Sequence, residues 1–246
     1  MSHIFIKLPI ISNNARVKIN PADISKLVTS KDYEYRYWPL KGNVYSNDLS
    51  DQLFPKANSV YSIAPTYLHF ENAAAGNGLA TTYIPPSDSR FFVSGVFTVT
   101  EFPTTQLGML LGTFNNPSGA SQGFTFYVNG PGNKNLSVLF SGSAVGVISL
   151  ATLNKPIYVS AFVDKYNKRM DYMIVAEDQT FTGSRTVTTY TESGLPVIIG
   201  NSMQAQAGGG KYNCYDFVAD NLNRYSDLTS YYNDAKARMN LKGITI

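Results

Sequence analysis

Three classes of residue are scarce in this 246-residue sequence: cysteine, histidine and charged side chains. The single cysteine, Cys214, excludes an intrachain disulfide framework and argues against a metal site built from thiolates. Its alternation with Tyr212 favours a packed thiol over a reactive one. The two histidines are His3, near the start of the chain, and His69, inside a short apolar run. Neither position is typical of a catalytic base.

Charge and hydropathy exclude two further classes of protein. Charged residues make up 15% of the chain, and 20 basic against 17 acidic residues leave a net charge of +3 with no Lys/Arg block. We therefore expect no nucleic-acid partner. No apolar run reaches the roughly 18 residues of a membrane helix, so we expect no membrane insertion. Lys7 and Pro9 interrupt the apolar start, which argues against a signal peptide and predicts synthesis in the cytoplasm.

Aromatic and β-branched residues dominate the centre of the chain. The sequence has 17 tyrosines and 14 phenylalanines, and residues 91–100 alternate between two faces as a strand does. Turns rich in glycine, asparagine and proline separate further short runs. We predict strands at 107–114, 123–128, 136–140, 146–150, 156–163, 170–176 and 185–190. No helical periodicity interrupts them, so the pattern predicts an all-β, antiparallel jelly-roll sandwich.

A compact unit closes the chain. Residues 196–200 predict a buried strand, Gly208–Gly210 a turn, and residues 212–219 a second strand with Tyr212, Cys214, Asp216 and Val218 on one face. Ser226 stands where a helix N-cap is expected. The stripe that follows predicts a short C-terminal helix whose apolar face is largely buried on a sheet, formed by Leu228, Tyr231, Tyr232, Ala235 and Met239.

The N-terminal part of the chain has a different character. We predict an extension at residues 1–57, serving attachment, and a sandwich domain at residues 58–246. Residues 32–38 alternate, with Tyr33, Tyr35 and Tyr37 on one face and Trp38 on the other. Two interpretations remain open for this stretch. It is either an edge strand whose tyrosines cover the core, or an aromatic surface for a sugar or a protein partner.

The order of several segments resembles a known family. These segments are Gly78-Leu79-Ala80-Thr81, the strand at 91–97, Leu110-Leu111-Gly112-Thr113-Phe114, the strand at 157–164 and the closing residues 197–244. Together they resemble the concanavalin A-like lectin/glucanase family, in its laminin G-like branch, and the ending resembles such domains in bacteriophage tail proteins. The resemblance covers about residues 60–246. It implies an antiparallel jelly-roll sandwich that in some members binds glycans or calcium and in others is structural.

Hydrolases of this family carry two acidic residues spaced by two on one strand, because alternation then places both carboxylates on one face. Glu177 and Asp178 are adjacent, so on a strand they would point to opposite faces. Asp32 and Glu34 have the right parity but lie outside the resembling region, beside Arg36. We therefore predict that the chain is not an enzyme, and retain a glycan hydrolase as an alternative.

Side chains suited to sugar binding lie in the predicted loops and in the aromatic stretches. Amides hydrogen-bond hydroxyls, and aromatic rings stack on sugar faces. The candidate glycan-binding residues are Trp38, Asn115, Asn116, Asn133, Asn201 and Tyr212. No cofactor is expected. Calcium is a possible ligand through the carboxylates of Asp164, Asp216 and Asp220.

These features predict a non-enzymatic virion component of a bacteriophage, in a tail fibre or baseplate. Its N-terminal segment would bind other virion proteins, and its lectin-like domain would bind a host cell-surface glycan. Virion symmetry would make it a homo-oligomer. The alternative from another class is a structural or decoration protein of the virion, whose sandwich makes only protein contacts.

Overall fold

A computed structural model gives the structure of the chain. It describes three short strands before residue 60, and then residues 61–64, 66–71, 78–81, 83–104, 107–130, 132–201, 209–221 and 225–246. Trp38, Asp32 and Glu34 lie outside the described residues, so the structure does not place them.

The described chain is almost entirely β-structure, followed by one helix. The strands are β1 Tyr35–Tyr37, β2 Tyr45–Asn47, β3 Gln52–Leu53, β4 Tyr61–Ile63, β5 Leu68–Glu71, β6 Gly78–Ala80, β7 Arg90–Glu101, β8 Gly108–Gly112, β9 Phe124–Val128, β10 Asn135–Phe140, β11 Ser143–Ser149, β12 Pro156–Asp164, β13 Arg169–Ala176, β14 Gln179–Thr186, β15 Ile198–Gly200 and β16 Lys211–Asp220. A 3₁₀ turn covers Pro117–Gly119, and helix α1 covers Leu228–Leu241.

The strands form two sheets, which we call sheet A and sheet B. Sheet A has the order β14-β13-β12-β7-β16-β1-β2-β3, with β5 also paired to β16 and β4 to β5. Sheet B has the order β11-β10-β9-β8-β15-β6. Apart from the parallel pair β1 and β2, the described pairings are antiparallel. The predicted antiparallel β-sandwich with a short C-terminal helix is confirmed.

One large core lies between the two sheets. Alternate residues of β7, including Phe91, Val93 and Phe97, face inward and pack with Phe124 and Phe126 of β9. Each of these side chains is at most 1% exposed. Because strands of period two present one face to the core, this alternation is the physical origin of the sandwich.

Strands β1 to β3 belong to the segment that the sequence separates as an extension. Strand β1 pairs antiparallel with β16, so that Arg36 lies opposite Val218. Residues before position 58 therefore extend sheet A by three short strands.

Helix α1 packs on the outer face of sheet A. Tyr231, Ala235 and Met239 are buried there, as the stripe predicts, whereas Leu228 and Tyr232 are half-buried. The prediction of Ser226 as N-cap is wrong, because Asp227 caps the helix: its Oδ1 accepts from Ser230 N at 2.8 Å. A carboxylate is also favourable at the positive end of the helix dipole. Among the described residues, no helix is long and apolar enough to cross a membrane.

A β-bulge in β16 changes which residues share a face. The register of β16 against β7 shifts between Cys214 and Asp216. Tyr212 and Cys214 consequently lie in the main core, whereas Asp216 and Val218 face α1. The prediction of one shared face for these four residues is therefore wrong, because the extra residue of a bulge reverses the alternation.

The last hairpin of sheet A starts earlier than the sequence predicts. Strand β14 covers Gln179–Thr186 in place of the predicted 185–190, and Ala176 pairs with Gln179. Only Glu177 and Asp178 connect the two strands, and both have positive φ, 51° and 60°. A two-residue connection in which both residues have positive φ is a type I′ hairpin turn, whose backbone twist matches that of the two strands it joins.

Candidate functional site

A groove opens on the outer face of sheet A, between this hairpin and the end of the chain, and we call it the hairpin groove. It has a volume of about 300 Å³, which lies at the lower end of the range of small-ligand sites. Its lining comes from the start of β12, the β13–β14 turn, α1 and the last two residues: Lys155, Pro156, Val175, Ala176, Glu177, Asp178, Thr180, Tyr232, Thr245 and Ile246.

The polar wall of the groove is a lysine between two carboxylates. Lys155 Nζ lies 3.2 Å from Asp178 Oδ2 and 3.4 Å from Glu177 Oε2. The Asp178 side chain is 92% exposed and the Lys155 side chain 41% exposed, whereas the Glu177 side chain is only 11% exposed. The wall therefore presents one open carboxylate and one partly open ammonium group to a ligand.

Backbone hydrogen bonds fix the Glu177 carboxylate. Its Oε1 accepts from Ala151 N at 3.0 Å and from Thr152 N at 2.9 Å. Burial alone would raise the pKa of Glu177, but the two N–H donors and Lys155 outweigh it and hold the pKa below its ordinary value. Glu177 is thus a stable anion that orients Lys155.

The lysine is held in turn by both carboxylates. Hydrogen bonds to Asp178 and Glu177 raise the pKa of Lys155 above its ordinary value. Lys155 therefore remains a cation at neutral pH and can donate to a ligand oxygen.

The rest of the lining is largely apolar. Tyr232 is half-buried, and its hydroxyl donates to the carbonyl of Ile246 at 2.8 Å. One side of its ring packs on Tyr158, at 5.1 Å between centroids, and Lys236 Nζ lies 5.7 Å from the ring centroid. A lining that combines a polar and an apolar part is the arrangement that holds amphipathic ligands such as sugars.

The sequence-predicted residues Asn115 and Asn116 lie elsewhere, in a loop cluster at the start of β9. Asn115 Oδ1 accepts from Asn116 N at 3.0 Å, and Asn115 Nδ2 lies 3.5 Å from the carbonyl of Ser193. The adjacent cavity, which Ser193 also lines, measures about 30 Å³, which is room for about one water. The two amides thus organise loops beside a space too small for a sugar ring.

Lys165 closes the same small cavity. Its Nζ donates to the carbonyl of Pro85 at 3.1 Å and to Glu192 Oε1 at 3.2 Å. The lysine side chain is only 7% exposed, so it ties the loops together.

The other described candidates do not join Asn115 and Asn116. Asn133 is exposed at the opposite end of β9, five strand residues or roughly 17 Å away. Asn201 is fully buried, and its Oδ1 accepts from Met109 N at 3.1 Å. Tyr212 is 1% exposed, and its ring packs against Gly108. The structure therefore places Asn201 and Tyr212 inside the sandwich, where neither presents a surface to a sugar.

The aspartates considered for calcium are also separated. Asp164 accepts from Asn167 N at 2.8 Å in the β12–β13 turn. Asp216 is paired with Arg238, and Asp220 accepts from Tyr231 Oη at 2.7 Å. Across the described ranges, no three His, Cys, Asp or Glu side chains are grouped so as to hold a metal ion.

Sequence reasoning missed the hairpin groove because its polar residues lie in a turn that lacks glycine and asparagine. A usable signal was present. Residues 170–176 alternate, residues 179–186 form a second extended run, and two residues are the commonest length of a hairpin connection. Recognition of that turn would have placed Glu177 and Asp178 side by side at the sheet end.

Comparisons with solved structures match the sandwich to glycan-active enzymes. Trypanosoma rangeli sialidase in complex with 2,3-difluorosialic acid (covalent intermediate) matches at 15% identity with a TM-score of 0.52, over 77% of this chain and 31% of that chain. Another structure of Trypanosoma rangeli sialidase gives a TM-score of 0.51 at 15% identity, over 76% and 30%. A GH43 protein from Bacillus licheniformis matches at 10% identity with a TM-score of 0.49, over 78% and 40%.

The match to the two sialidase structures shows the fold, and the chain spans less than a third of the length of the chain in each. No protein-family model matches the sequence. No curated protein matches it either.

These comparisons contradict the prediction of a non-enzymatic bacteriophage virion protein. Both of the reported structures with TM-scores above 0.5 are of a sialidase, which is an enzyme and not a phage protein. The prediction that the chain is not an enzyme is contradicted on the same ground. Of the predictions made from the sequence, the β-sandwich is the part that these comparisons support.

Proposed function

We propose that this chain is a glycan-active protein whose sandwich binds a saccharide in the hairpin groove. The observation that carries the proposal is the groove itself, about 300 Å³ with a Lys155–Asp178 pair on one wall and Tyr232 on the other. Charged donors and acceptors bind sugar hydroxyls, and the apolar wall accommodates the ring faces.

The shared fold supports this assignment. The sandwich matches less than a third of the sialidase chain. In the sialidase, the matching region is therefore one part of a larger glycan-active protein. We propose that the sandwich of this chain is likewise part of a glycan-active protein. We also propose that it belongs to the concanavalin A-like family, on the basis of the segments described above.

Hydrolysis is the second candidate function. Glu177 and Asp178 both contact the ammonium group of Lys155, so two carboxylates lie in one groove. Paired carboxylates are the groups that most glycosidases use. Glu177, held as an anion, would be suited to the nucleophile or base of such a pair and unsuited to the general acid.

The test is calorimetric titration of the full chain with a panel of oligosaccharides, with release of reducing ends measured on the same samples. A Thr180→Trp variant fills the groove from its exposed lining position. Thr186→Trp places the same bulk at the far end of β14, where Thr186 pairs with Arg169, and is the control.

We expect binding to at least one saccharide, a loss of affinity of about tenfold or more in Thr180→Trp, and no change in Thr186→Trp. Absence of binding to every saccharide in the panel, or equal affinity in both variants, would overturn the proposal. Reducing-end release that disappears in Glu177→Gln would establish hydrolysis.

A further inference from the structure

The charge of the hairpin groove restricts the sugars it can hold. Among its lining residues, Lys155 carries the positive charge, and Glu177 and Asp178 carry two negative charges. The lysine is already engaged by both carboxylates, at 3.4 Å and 3.2 Å. An acidic sugar would therefore have to displace Asp178 from Lys155 or lie beside it, and like charges in proximity disfavour binding.

Lys236 is a second cation near the groove and does not reverse this balance. Its Nζ lies 5.7 Å from the Tyr232 ring centroid, and the residue is exposed to solvent. It does not belong to the lining of the groove. Water screens its charge more strongly than that of a group inside the groove.

The remaining hydrogen-bonding capacity of the polar wall fits a pair of hydroxyl groups. Asp178 uses Oδ2 for Lys155, and no hydrogen bond to its Oδ1 is found within the described part of the chain. Lys155 has three N–H donors and two carboxylate neighbours, which leaves one donor direction. An acceptor beside a donor complements two neighbouring hydroxyls, one that donates and one that accepts.

We propose that the hairpin groove selects neutral saccharides, bound through a vicinal diol between Asp178 Oδ1 and Lys155 Nζ, and discriminates against saccharides that carry a carboxylate. This inference rests on the proposed function and specifies its ligand class. It separates the chain from the sialidases whose fold it shares, since the ligand in one of those structures is an acidic sugar.

The experiment uses matched glycan pairs that differ only by an acidic residue, such as lactose with sialyllactose and xylo-oligosaccharides with and without glucuronic acid. The full chain is titrated with each member at low and at high ionic strength. We expect the neutral member to bind about tenfold more tightly than its acidic partner at low salt. The ratio of the two affinities should fall as the salt concentration rises, because screening weakens the repulsion between the acidic sugar and the groove carboxylates and leaves the affinity for the neutral sugar unchanged.

Two groove variants and one control complete the design. Asp178→Asn and Lys155→Gln should each lower the affinity for the neutral saccharide about tenfold. Asp178→Asn should also bring the affinities for the neutral and the acidic saccharide closer together. Asp171→Asn is the control, because Asp171 forms the equivalent exposed pair with Arg169 at 2.8 Å, outside the groove. It should change neither quantity.

The outcomes separate the two proposals. Equal or tighter binding of the acidic members, with Thr180→Trp still weakening binding about tenfold or more, overturns the charge selectivity and leaves the proposed function standing. Unchanged neutral affinity in both Asp178→Asn and Lys155→Gln also overturns the selectivity mechanism. No binding to any member of any pair overturns the proposed function itself.

Discussion

Arg238 donates two hydrogen bonds to a single oxygen of Asp216, from Nε at 3.2 Å and from Nη2 at 2.6 Å, inside the contact between α1 and sheet A. Both side chains are at most 1% exposed. The bulge in β16 makes this pair possible, because it turns Asp216 toward the helix. The hairpin groove depends on the same contact, since α1 supplies Tyr232 to its wall.

Arg238→Met is expected to destabilise the fold by about 3–5 kcal/mol, because it leaves Asp216 charged and buried without its partner. The double variant Asp216→Leu/Arg238→Met should restore most of the lost stability, since it removes both charges and fills their space with apolar side chains. Urea unfolding of the three proteins measures both effects. A double variant no more stable than the single one would contradict this account.

Tyr231→Phe tests the second polar contact under α1. The Tyr231 hydroxyl donates to Asp220 Oδ2 at 2.7 Å in a buried setting, and its ring stacks on Phe92. The hydroxyl also accepts a longer hydrogen bond from Tyr225 N at 3.4 Å. Phenylalanine keeps the ring, so the expected loss of about 1.5–3 kcal/mol in the free energy of unfolding reports on the hydroxyl and mainly on its bond with the carboxylate. Tyr232→Phe is the comparison, because Tyr232 is half-buried, so water can replace the hydrogen bond of its hydroxyl with Ile246 O, and the loss should be about 0.5–1.5 kcal/mol. If urea unfolding gave equal losses of unfolding free energy for Tyr231→Phe and Tyr232→Phe, this difference between the two hydroxyls would be refuted.

The sequence predicts the architecture well because alternation and helical stripes are local patterns. The period-two run predicts the strand β7, and the stripe of α1 places Tyr231, Ala235 and Met239 in buried positions, where the structure has them. Such patterns need no knowledge of long-range neighbours.

The groove could not be predicted in the same way. The bulge after Cys214 arises from pairing with β7, which lies over a hundred residues earlier in the chain. The turn at Glu177 and Asp178 places a glutamate first in the left-handed region, a residue that local turn rules do not select there. Lys155 meets these carboxylates only once β12 and β13 pair.

Close approach of two strands should make Gly112 intolerant of a side chain. A Cβ at Gly112 would lie 2.2 Å from Phe124 O and 2.6 Å from Thr125 Cα, so strand β9 would have to move. We expect Gly112→Ala to destabilise by about 1–3 kcal/mol. Gly146→Ala is the matched control in sheet B, where the nearest atom would be 3.4 Å away. Comparable unfolding midpoints for the two variants would count against this packing argument.

Stability should depend on pH through Glu177. Because the folded pKa lies below the ordinary value of about 4.3, the contribution of Glu177 is fully present above that pH. It is lost as pH falls through the folded pKa. The free energy of unfolding of wild type minus that of Glu177→Gln should therefore be positive at pH 7 and shrink below about pH 4. A difference that stays constant from pH 7 to pH 3 would exclude this role.

Asp178→Gly should separate stability from ligand binding. Asp178 has a φ of 60°, a conformation that costs an L-residue up to about 1–2 kcal/mol of steric strain. Glycine has no such strain, but it loses about 0.5–1 kcal/mol more in conformational entropy on folding. The ion pair of Asp178 with Lys155 is exposed to solvent and contributes little to stability. We therefore expect the free energy of unfolding to be unchanged or to rise by up to about 1 kcal/mol.

The same variant removes the acceptor proposed for a sugar hydroxyl, so its affinity for a neutral saccharide should fall about tenfold. Asp178→Asn keeps a residue type that tolerates positive φ and loses only the charge, so its stability should stay near that of wild type while its affinity falls as well. Urea unfolding and calorimetric titration of both variants give the two quantities on the same samples. Retained affinity in Asp178→Gly would show that the turn carboxylate takes no part in binding, and a large loss of stability would show that it supports the hairpin instead.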